Sequence, residues 1–385
     1  MWLSLLLMFT GSGTSALSQA PDSLPRKPVI RGYVKALNQT DFIRNLSQAK
    51  YSGMLHARLN SSWEPCTQLK LRLDLRQRLF FGNLPRMPGF SALIQQDDGL
   101  LSLSHTSNLG SDILWHSMVD RAWVAYRRGA LELIAGRQRI NWGINMVWNP
   151  NDVFNTFNFF DFDYEERPGC DGVRLIYTMP HQGALELAGV AGRGANNRKV
   201  AMLWRSEIGS YDVQLLGGYY DSLWFAGVGW AGNLRGAGFK GEANAYSQVH
   251  GTNFSRYIIL TSATLDYTFR RGWYGMGSYL YNSRGRNSLT GFGALSYQKL
   301  SPLNLMPLKH QFALQAAKQF SPVVQASLSA IYGWQEHLSI FVPSVHYWAA
   351  QNWECTLLAQ SLFARTAGVY QSLGQNIFLR LRFSF

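Results

Sequence analysis

The chain has 385 residues, of which 46% are hydrophobic and only 15% are charged, and its net charge is +13. After the N-terminus there is no run of about 18 consecutive apolar residues, which excludes a membrane-spanning helix. The cysteines Cys66, Cys170 and Cys355 are odd in number and widely spaced, which excludes a disulfide framework and a metal-ligand motif. One pair of them could still bridge two loops. We therefore expect neither a metal nor a cofactor.

Residues 1–20 have the features of a secretory signal peptide. Trp2 to Phe9 form a short apolar core, and Ala16-Leu17-Ser18 fits a small-x-small cleavage site. The usual positive n-region is missing, because no residue before Asp22 is charged, and a buried N-terminal helix is the alternative. For an exported chain with this positive charge we expect anionic lipids or anionic solutes as partners, and no nucleic acid.

Residues 21–50 do not show the alternating pattern of the rest of the chain. Asn38 to Tyr51 could form a short helix with Thr40 or Asp41 as its N-cap. We interpret 21–50 as a lead-in segment or as a plug, and 51–385 as a single domain.

Short alternating runs recur after Tyr51, and the clearest is Leu69 to Phe80. Leucines occupy one face of this run, and the other face carries the charged residues Lys70, Arg72, Asp74, Arg76 and Arg78. Similar runs, 290–299 among them, are joined by tight turns and predict about 16–18 antiparallel strands, an even number. The long connections 81–116 and 141–171 are expected at the same, outward-facing end.

The end of the chain, Ile377 to Phe385, alternates in the same way. Arg380 and Arg382 lie between apolar neighbours, and Phe383 and Phe385 close the sequence. Such an ending is typical of the last strand of an outer-membrane β-barrel, whose apolar face meets lipid and whose polar face meets a wet lumen. We therefore predict an all-β fold, a transmembrane antiparallel up-and-down barrel in the cell outer membrane, with the terminal phenylalanines as its insertion signal. A soluble β-sandwich or propeller is the alternative.

The segment from Gly136 to Leu175 carries several short motifs. It reads Gly-Arg-Gln-x-Ile-x-Trp-Gly from 136 to 143 and Asn-Pro-x-Asp-x-Phe-Asn from 149 to 155, followed by Pro168-Gly169 and Arg174-Leu175. This order resembles the porin-like outer-membrane barrels common in the Bacteroidetes and, more distantly, alginate-export-type barrels. The resemblance implies an outer-membrane channel that is not an enzyme, and it fixes no solute.

The loop around 141–171 is too aromatic for a disordered segment, so we expect it to fold into the barrel and form a constriction. The charged residues expected at the constriction are Arg137, Arg139, Asp161, Asp163, Glu165, Glu166 and Arg167. Opposed acidic and basic walls would set a transverse field across the opening. The alternatives are that these charges pair with each other to hold the loop, or that Asp163 and Glu165 bind Ca²⁺.

The sequence predicts a mainly basic lumen. Its expected lining residues are Lys70, Arg72, Asp74, Arg76, Arg78, Arg174, Arg380 and Arg382. We therefore expect a porin-like channel for small anionic or polar solutes, with the lipid bilayer, lipopolysaccharide and the barrel-assembly machinery as further partners. The alternatives are a scaffold or adhesion barrel with a plugged lumen and a barrel-embedded hydrolase, although no nucleophile motif at recognisable spacing supports a hydrolase.

Overall fold

The computed structural model of the protein describes residues 27–43, 45–156, 166, 169–180, 182–193, 198–250, 253–254, 257–285, 301–335, 337–366 and 368–385. Within these residues the regular structure is almost entirely β-strand. The helical elements there are α1 (Phe90–Ile94) and the 3-10 turns Leu46–Gln48 and Arg270–Gly272. None of the helices in this part of the chain has the length and apolar character needed to span a bilayer.

The strands of the described residues follow one another in this order: β1 (Val29–Phe42), β2 (Lys50–Cys66), β3 (Leu69–Gly82), β4 (Ser104–Asn108), β5 (Ile113–Arg128), β6 (Leu131–Gln138), β7 (Cys170–Met179), β8 (Gly183–Ala191), β9 (Arg198–Ile208), β10 (Tyr211–Tyr220), β11 (Leu223–Leu234), β12 (Ala237–Ser247), β13 (Val249–His250), β14 (Asn253–Phe254), β15 (Ile258–Thr268), β16 (Trp273–Asn282), β17 (His310–Ser321), β18 (Val324–Gly333), β19 (Leu338–Ala350), β20 (Trp353–Thr366) and β21 (Val369–Ser384).

Eighteen of these strands form one closed antiparallel barrel in which each strand pairs with its neighbours along the chain. The short strand β4 adds to the edge of β5, and β13 and β14 form a separate small hairpin. The barrel closes where β1 pairs with β21, so that Lys35 lies opposite His56 on one side and Arg382 on the other. The predicted up-and-down barrel is confirmed, with the strand number at the upper end of the expected range.

Side chains alternate between the outside and the interior of this wall. On β3, Leu73 is 45% exposed, whereas Asp74 is 0% and Arg76 is 4% exposed. The exposed face of β17 likewise carries Phe312 and Leu314. A barrel with apolar side chains outside and charged side chains inside fits a lipid bilayer, because a soluble sandwich would bury its leucines. The soluble alternative is therefore wrong, and this exterior belongs to a barrel of the cell outer membrane.

The long connections of the barrel all lie at one of its two ends. The turns at the end where β1 begins and β21 ends are short, as between β2 and β3 or between β9 and β10. The connections β3–β5, β6–β7 and β16–β17 all lie at the other end. In outer-membrane barrels the short turns are periplasmic and the long loops extracellular, so the predicted common orientation of the two long loops is confirmed.

Two details of the sequence interpretation change. The helix predicted for Asn38 to Tyr51 is wrong, because Val29–Phe42 is the wall strand β1 and the barrel begins there instead of at residue 51. The alternation of β1 is hard to recognise, because Tyr33 and Leu37 face the interior while Gly32, Ala36 and Asn38 lie on the other face.

The predicted strand 290–299 and the predicted signal peptide 1–20 lie outside the described residues. β16 pairs directly with β17, with Tyr281 opposite His310. The eighteen strands of the wall therefore include β1, which the sequence interpretation did not count as a strand.

Aromatic rings cover several glycines of the wall, one of them at the closing seam of β1 and β21. The ring of Phe385 lies over Gly32, 2.7 Å from where a Cβ atom would be, and the carbonyl oxygen of Arg58 is closer still to that position. The rings of Phe81 and Trp230 cover Gly53 and Gly241 in the same way. Such aromatic–glycine pairs fill the outer surface of a strongly twisted sheet.

We predict that Gly32→Ala destabilises the closing seam by about 1–3 kcal/mol, because the added methyl group overpacks backbone as well as the ring. Urea unfolding in detergent, followed by circular dichroism, measures the effect. Gly374→Ala on β21 is the matched control, since nothing lies within 4 Å of its Cβ position. Equal unfolding midpoints for the two variants would contradict the prediction.

Candidate functional site in the barrel interior

The connection from β6 to β7 turns into the barrel. After Gln138 the chain leaves the wall, and Ile140, Trp142 and Trp148 are almost completely buried. These side chains form one apolar cluster with interior residues of the wall, namely Ala188, Ala201, Leu203, Leu216, Tyr220, Phe225, Tyr246, Ile258, Leu260, Met276 and Leu280. Residues 139–156 therefore line the inner face of the β8–β16 half of the barrel; we call them the inner loop.

Polar contacts join the inner loop to the same half of the wall. Gln214 Nε2 donates to the Trp142 carbonyl at 2.9 Å, and Ser262 Oγ donates to the Trp148 carbonyl at 2.9 Å. Trp142 Nε1 also donates to Glu186. Because buried carbonyl groups need partners, these bonds give the inner loop a defined position.

The departure of β6 would leave part of the wall without a neighbour. β5 pairs with β6 only from Ala122 to Arg128. Further along its edge, β4 takes over, with Ser104 opposite Met118. Gly99 forms a bridge to Gly192 beyond the end of β8. The β3–β5 connection therefore covers the gap in the wall.

We call the part of the β3–β5 connection that covers this gap the patch. Arg137 on β6 joins the patch to the wall. Its guanidinium donates to Asp171 at 2.6 and 3.0 Å, to Asp97 at 2.8 Å and to the Leu101 carbonyl at 2.8 Å. It shares a strand face with the exposed Leu133, so it does not face the interior. The donors of Arg137 join β6, β7 and the β3–β5 connection, and its expected place in the constriction stays a prediction.

Basic side chains occupy the opposite half of the barrel. Arg382, Lys35, His56, Arg78 and His116 lie side by side on five neighbouring strands, β21, β1, β2, β3 and β5. We call this arrangement the basic row. In it, Arg78 Nε donates to His116 Nδ1 at 3.3 Å. Positive charge is thus concentrated on one side of the interior.

An ion cluster lies next to the basic row. Its members are Arg58, Asp74, Arg76, Asp120, Arg121 and Glu166. Arg58 contacts Asp74 at 3.3 Å and also pairs with Asp120, while Arg76 contacts Asp120 at 3.1 Å. Glu166, from the β6–β7 connection, lies 3.0 Å from Arg58 and 2.9 Å from Arg121.

A β-bulge explains how this cluster is assembled. The register between β3 and β5 shifts beside Asp74, which pairs with Arg121, whereas Leu75 pairs with Val119. Asp120 is therefore an extra residue, and a bulge lets two consecutive side chains point to the same side of a sheet. Asp120 and Arg121 both reach the interior for this reason.

The remaining predicted site residues have individual surroundings. Arg72 donates to Asp74 at 2.9 Å, Arg174 to Glu186 at 2.5 and 2.8 Å, and Arg380 to Glu354 at 2.7 Å. The Arg382 guanidinium lies 4.4 Å from the centroid of the Tyr33 ring, and the partly exposed Lys70 pairs with Glu64 at 2.7 Å. Arg139 directly follows β6 and is partly buried. Asp161, Asp163, Glu165 and Arg167 lie outside the described residues, as does the Ca²⁺ alternative.

One pair of side chains resembles part of the catalytic site that the hydrolase alternative requires. Ser104 Oγ lies 3.0 Å from His116 Nε2, and both residues are buried. The other ring nitrogen of His116 faces Arg78, where a serine hydrolase has a carboxylate that orients the base. The pair therefore does not have the arrangement of a catalytic triad. Cys66, Cys170 and Cys355 are free thiols, so the possible bridge between two of them is not formed.

Several interior residues were missed by sequence reasoning. Arg58 could have been found, because the alternation of the predicted strand 52–60 places it on the same face as His56. Glu186 could likewise be placed inside by the period of β8. Arg121 could not be placed, because a bulge leaves no signal in the alternation.

A closed eighteen-stranded antiparallel barrel with an apolar exterior has the fold of an outer-membrane porin. The chain is similar in structure to Occ/Opd porins. Pseudomonas aeruginosa OccK5 (OpdH) has a TM-score of 0.60 at 7% identity and covers 94% of this chain and 100% of its own. Acinetobacter baumannii OccAB1 has a TM-score of 0.59 at 10% identity and covers 96% and 99%. P. aeruginosa OccK9 (OpdG) has a TM-score of 0.59 at 11% identity and covers 94% and 100%.

No family model and no curated protein matches the sequence. At identities this low the likeness shows the fold alone. The porin-like part of the predicted resemblance is confirmed at that level. The finer likeness to Bacteroidetes and alginate-export-type barrels stays a prediction.

We predict that Arg137→Met destabilises the protein by about 3–5 kcal/mol, because it leaves two carboxylates in the patch without their cation. Arg127→Met is the control, since Arg127 is exposed and its pair with Glu132 is a surface pair, for which we expect less than about 1 kcal/mol. Urea unfolding of both variants measures the difference. A loss as small as that of the control would contradict the role given to Arg137.

Stability of the patch should depend on acid pH. Burial favours a higher pKa for Asp97, but hydrogen bonds from Arg137 and from the amides of Gly99 and Leu103 outweigh it, so the pKa is lowered. A carboxyl group with a lowered native pKa stabilises the fold above its unfolded value of about 3.9, and this contribution is lost as the pH falls further. We expect hydrogen exchange in residues 97–103 to accelerate in that range. The acceleration should be absent in Asp97→Asn.

Proposed function

We propose that the protein is an outer-membrane channel for small polar solutes that favours anions, and that the inner loop narrows its lumen. The distribution of buried charge carries this proposal. On β21, β1, β2, β3 and β5 the buried charged residues are the cations Lys35, Arg58, Arg76, Arg78 and Arg380 and the carboxylates Asp74 and Asp120. Cations therefore outnumber carboxylates five to two along this wall.

The opposite wall supports the same proposal. Its buried charged side chains among the described residues of β8 to β16 are Glu186 and Glu242, and both lie beneath the inner loop. A path between the inner loop and the basic row would expose a solute mainly to positive charge. Such a transverse field attracts anions and orients dipolar solutes, acidic sugars among them.

The proposal also includes partners and targeting. The apolar exterior would contact lipid and lipopolysaccharide, and the final strand with Phe383 and Phe385 would be recognised by the barrel-assembly machinery. Residues 1–20 would direct export.

Reversal potentials in planar bilayers under a KCl gradient test the channel and its selectivity. We expect chloride to be preferred over potassium, and Lys35→Gln combined with Arg78→Gln to reduce this preference several-fold. Lys318→Gln is the control, because Lys318 stacks on Trp273 and Phe320 at the outer surface and should leave selectivity unchanged. A clear cation preference, or no ion current at all, would overturn the proposal.

A scaffold or adhesion barrel with a closed lumen is the second candidate. The observation that favours it is the nearly complete burial of Arg58 and Asp74 within the barrel. Under this alternative the purified protein would insert into bilayers without conducting ions.

A further inference from the structure

One buried carboxylate accepts hydrogen bonds from the backbone of the inner loop. Glu242 lies on β12 and is fully buried. Its Oε1 accepts hydrogen bonds from the backbone amides of Ile144 at 2.6 Å and Asn145 at 2.7 Å, and its Oε2 accepts one from the Asn151 amide at 2.8 Å. Both ends of the segment 144–151 are therefore closed around a single side chain of the wall.

These amides form an anion cradle. Three N–H groups that converge on one carboxylate make charge-assisted bonds, which are shorter and stronger than bonds between neutral groups. Without the carboxylate, each amide would be buried without this acceptor, which is unfavourable. Glu242 thus satisfies loop amides that are distant from it in sequence.

The side chains of the same segment strengthen the attachment. Asn145 Nδ2 donates to Ser262 Oγ at 2.7 Å, and Ser262 is the cross-strand partner of Glu242 on β15. Asn151 Nδ2 donates to the Val228 carbonyl on β11 at 3.0 Å. The segment is therefore bound to three adjacent wall strands, and Glu242 lies on the middle one.

We infer that Glu242 is the positioning residue that fixes the inner loop in the barrel and so sets the distance between the loop and the basic row. The second half of this statement rests on the proposed channel function. The apolar cluster around Trp142 and Trp148 holds the loop against the wall, but its contacts are not directional. The three amide bonds act on both ends of the turn 144–151, and together with the Ser262 bond to the Trp148 carbonyl they determine where this turn lies.

Hydrogen exchange of the purified protein in detergent tests the inference. Glu242→Ala should accelerate exchange in peptides covering 140–151 by about tenfold or more, because local opening becomes easier. Glu242→Gln should have an intermediate effect, since it keeps one acceptor oxygen but places a donor where Oε2 was. Glu132→Ala, which removes a partly exposed carboxylate beside a short turn, should leave these peptides unchanged.

Chemical rescue separates positioning from general stability. Millimolar acetate should restore slow exchange in Glu242→Ala, because its carboxylate fits the vacated cradle, and it should have no effect on Glu132→Ala. Unchanged exchange in Glu242→Ala, or faster exchange spread over the whole barrel without rescue by acetate, would overturn the inference.

Single-channel recordings of the same variants keep the two proposals distinguishable. We expect Glu242→Ala to show a larger and noisier conductance than the unmodified protein. Absence of current in every variant would overturn the proposed channel, while the exchange and rescue results would still decide the role of Glu242. Current that is identical in all variants despite faster exchange would overturn the claim that Glu242 sets the width.

Discussion

The constraint on which the whole structure depends is that a sheet in lipid must leave no backbone group unpaired. The closing pair of β1 and β21 meets this requirement at the seam, where Gly32 accommodates the ring of Phe385. The constraint is hardest to meet beside β6, whose chain leaves the wall for the interior. There β4 supplies the missing partner for β5, and Arg137 joins the patch to β6 and β7.

The same departure of β6 creates the interior site. A chain segment that leaves the wall brings its own amides and carbonyls into the barrel, and these need partners. Gln214, Glu242 and Ser262 supply them from one half of the wall, and Glu186 in the same half accepts a hydrogen bond from the indole N–H of Trp142. The buried carboxylates of this half therefore bind the inner loop. The cations that outnumber carboxylates lie across the barrel, where the basic row is. The polarity of the interior thus follows from where the loop is attached.

Much of this fold could be predicted from alternation alone. The leucine and arginine faces of β3, and the same alternation along β21, define a lipid-facing wall because the period of a strand is two. β1 was missed because its outward face mixes the apolar Ile30 and Val34 with Gly32, Ala36 and Asn38, while Tyr33 and Leu37 face the interior, so neither face forms a clear apolar stripe. The surroundings of Arg121 and Arg137 could not be predicted for another reason. Those of Arg121 depend on a β-bulge, and those of Arg137 depend on the patch, which comes from a distant connection. Local periodicity carries no information about either.

Osmotic swelling of liposomes is the measurement that tests the central claim most directly, because it reports whether small solutes pass between the inner loop and the basic row. The account predicts that liposomes containing the protein swell in small polar solutes, faster for an anionic sugar acid than for a neutral sugar of equal size. Liposomes that swell no faster than protein-free controls would contradict it.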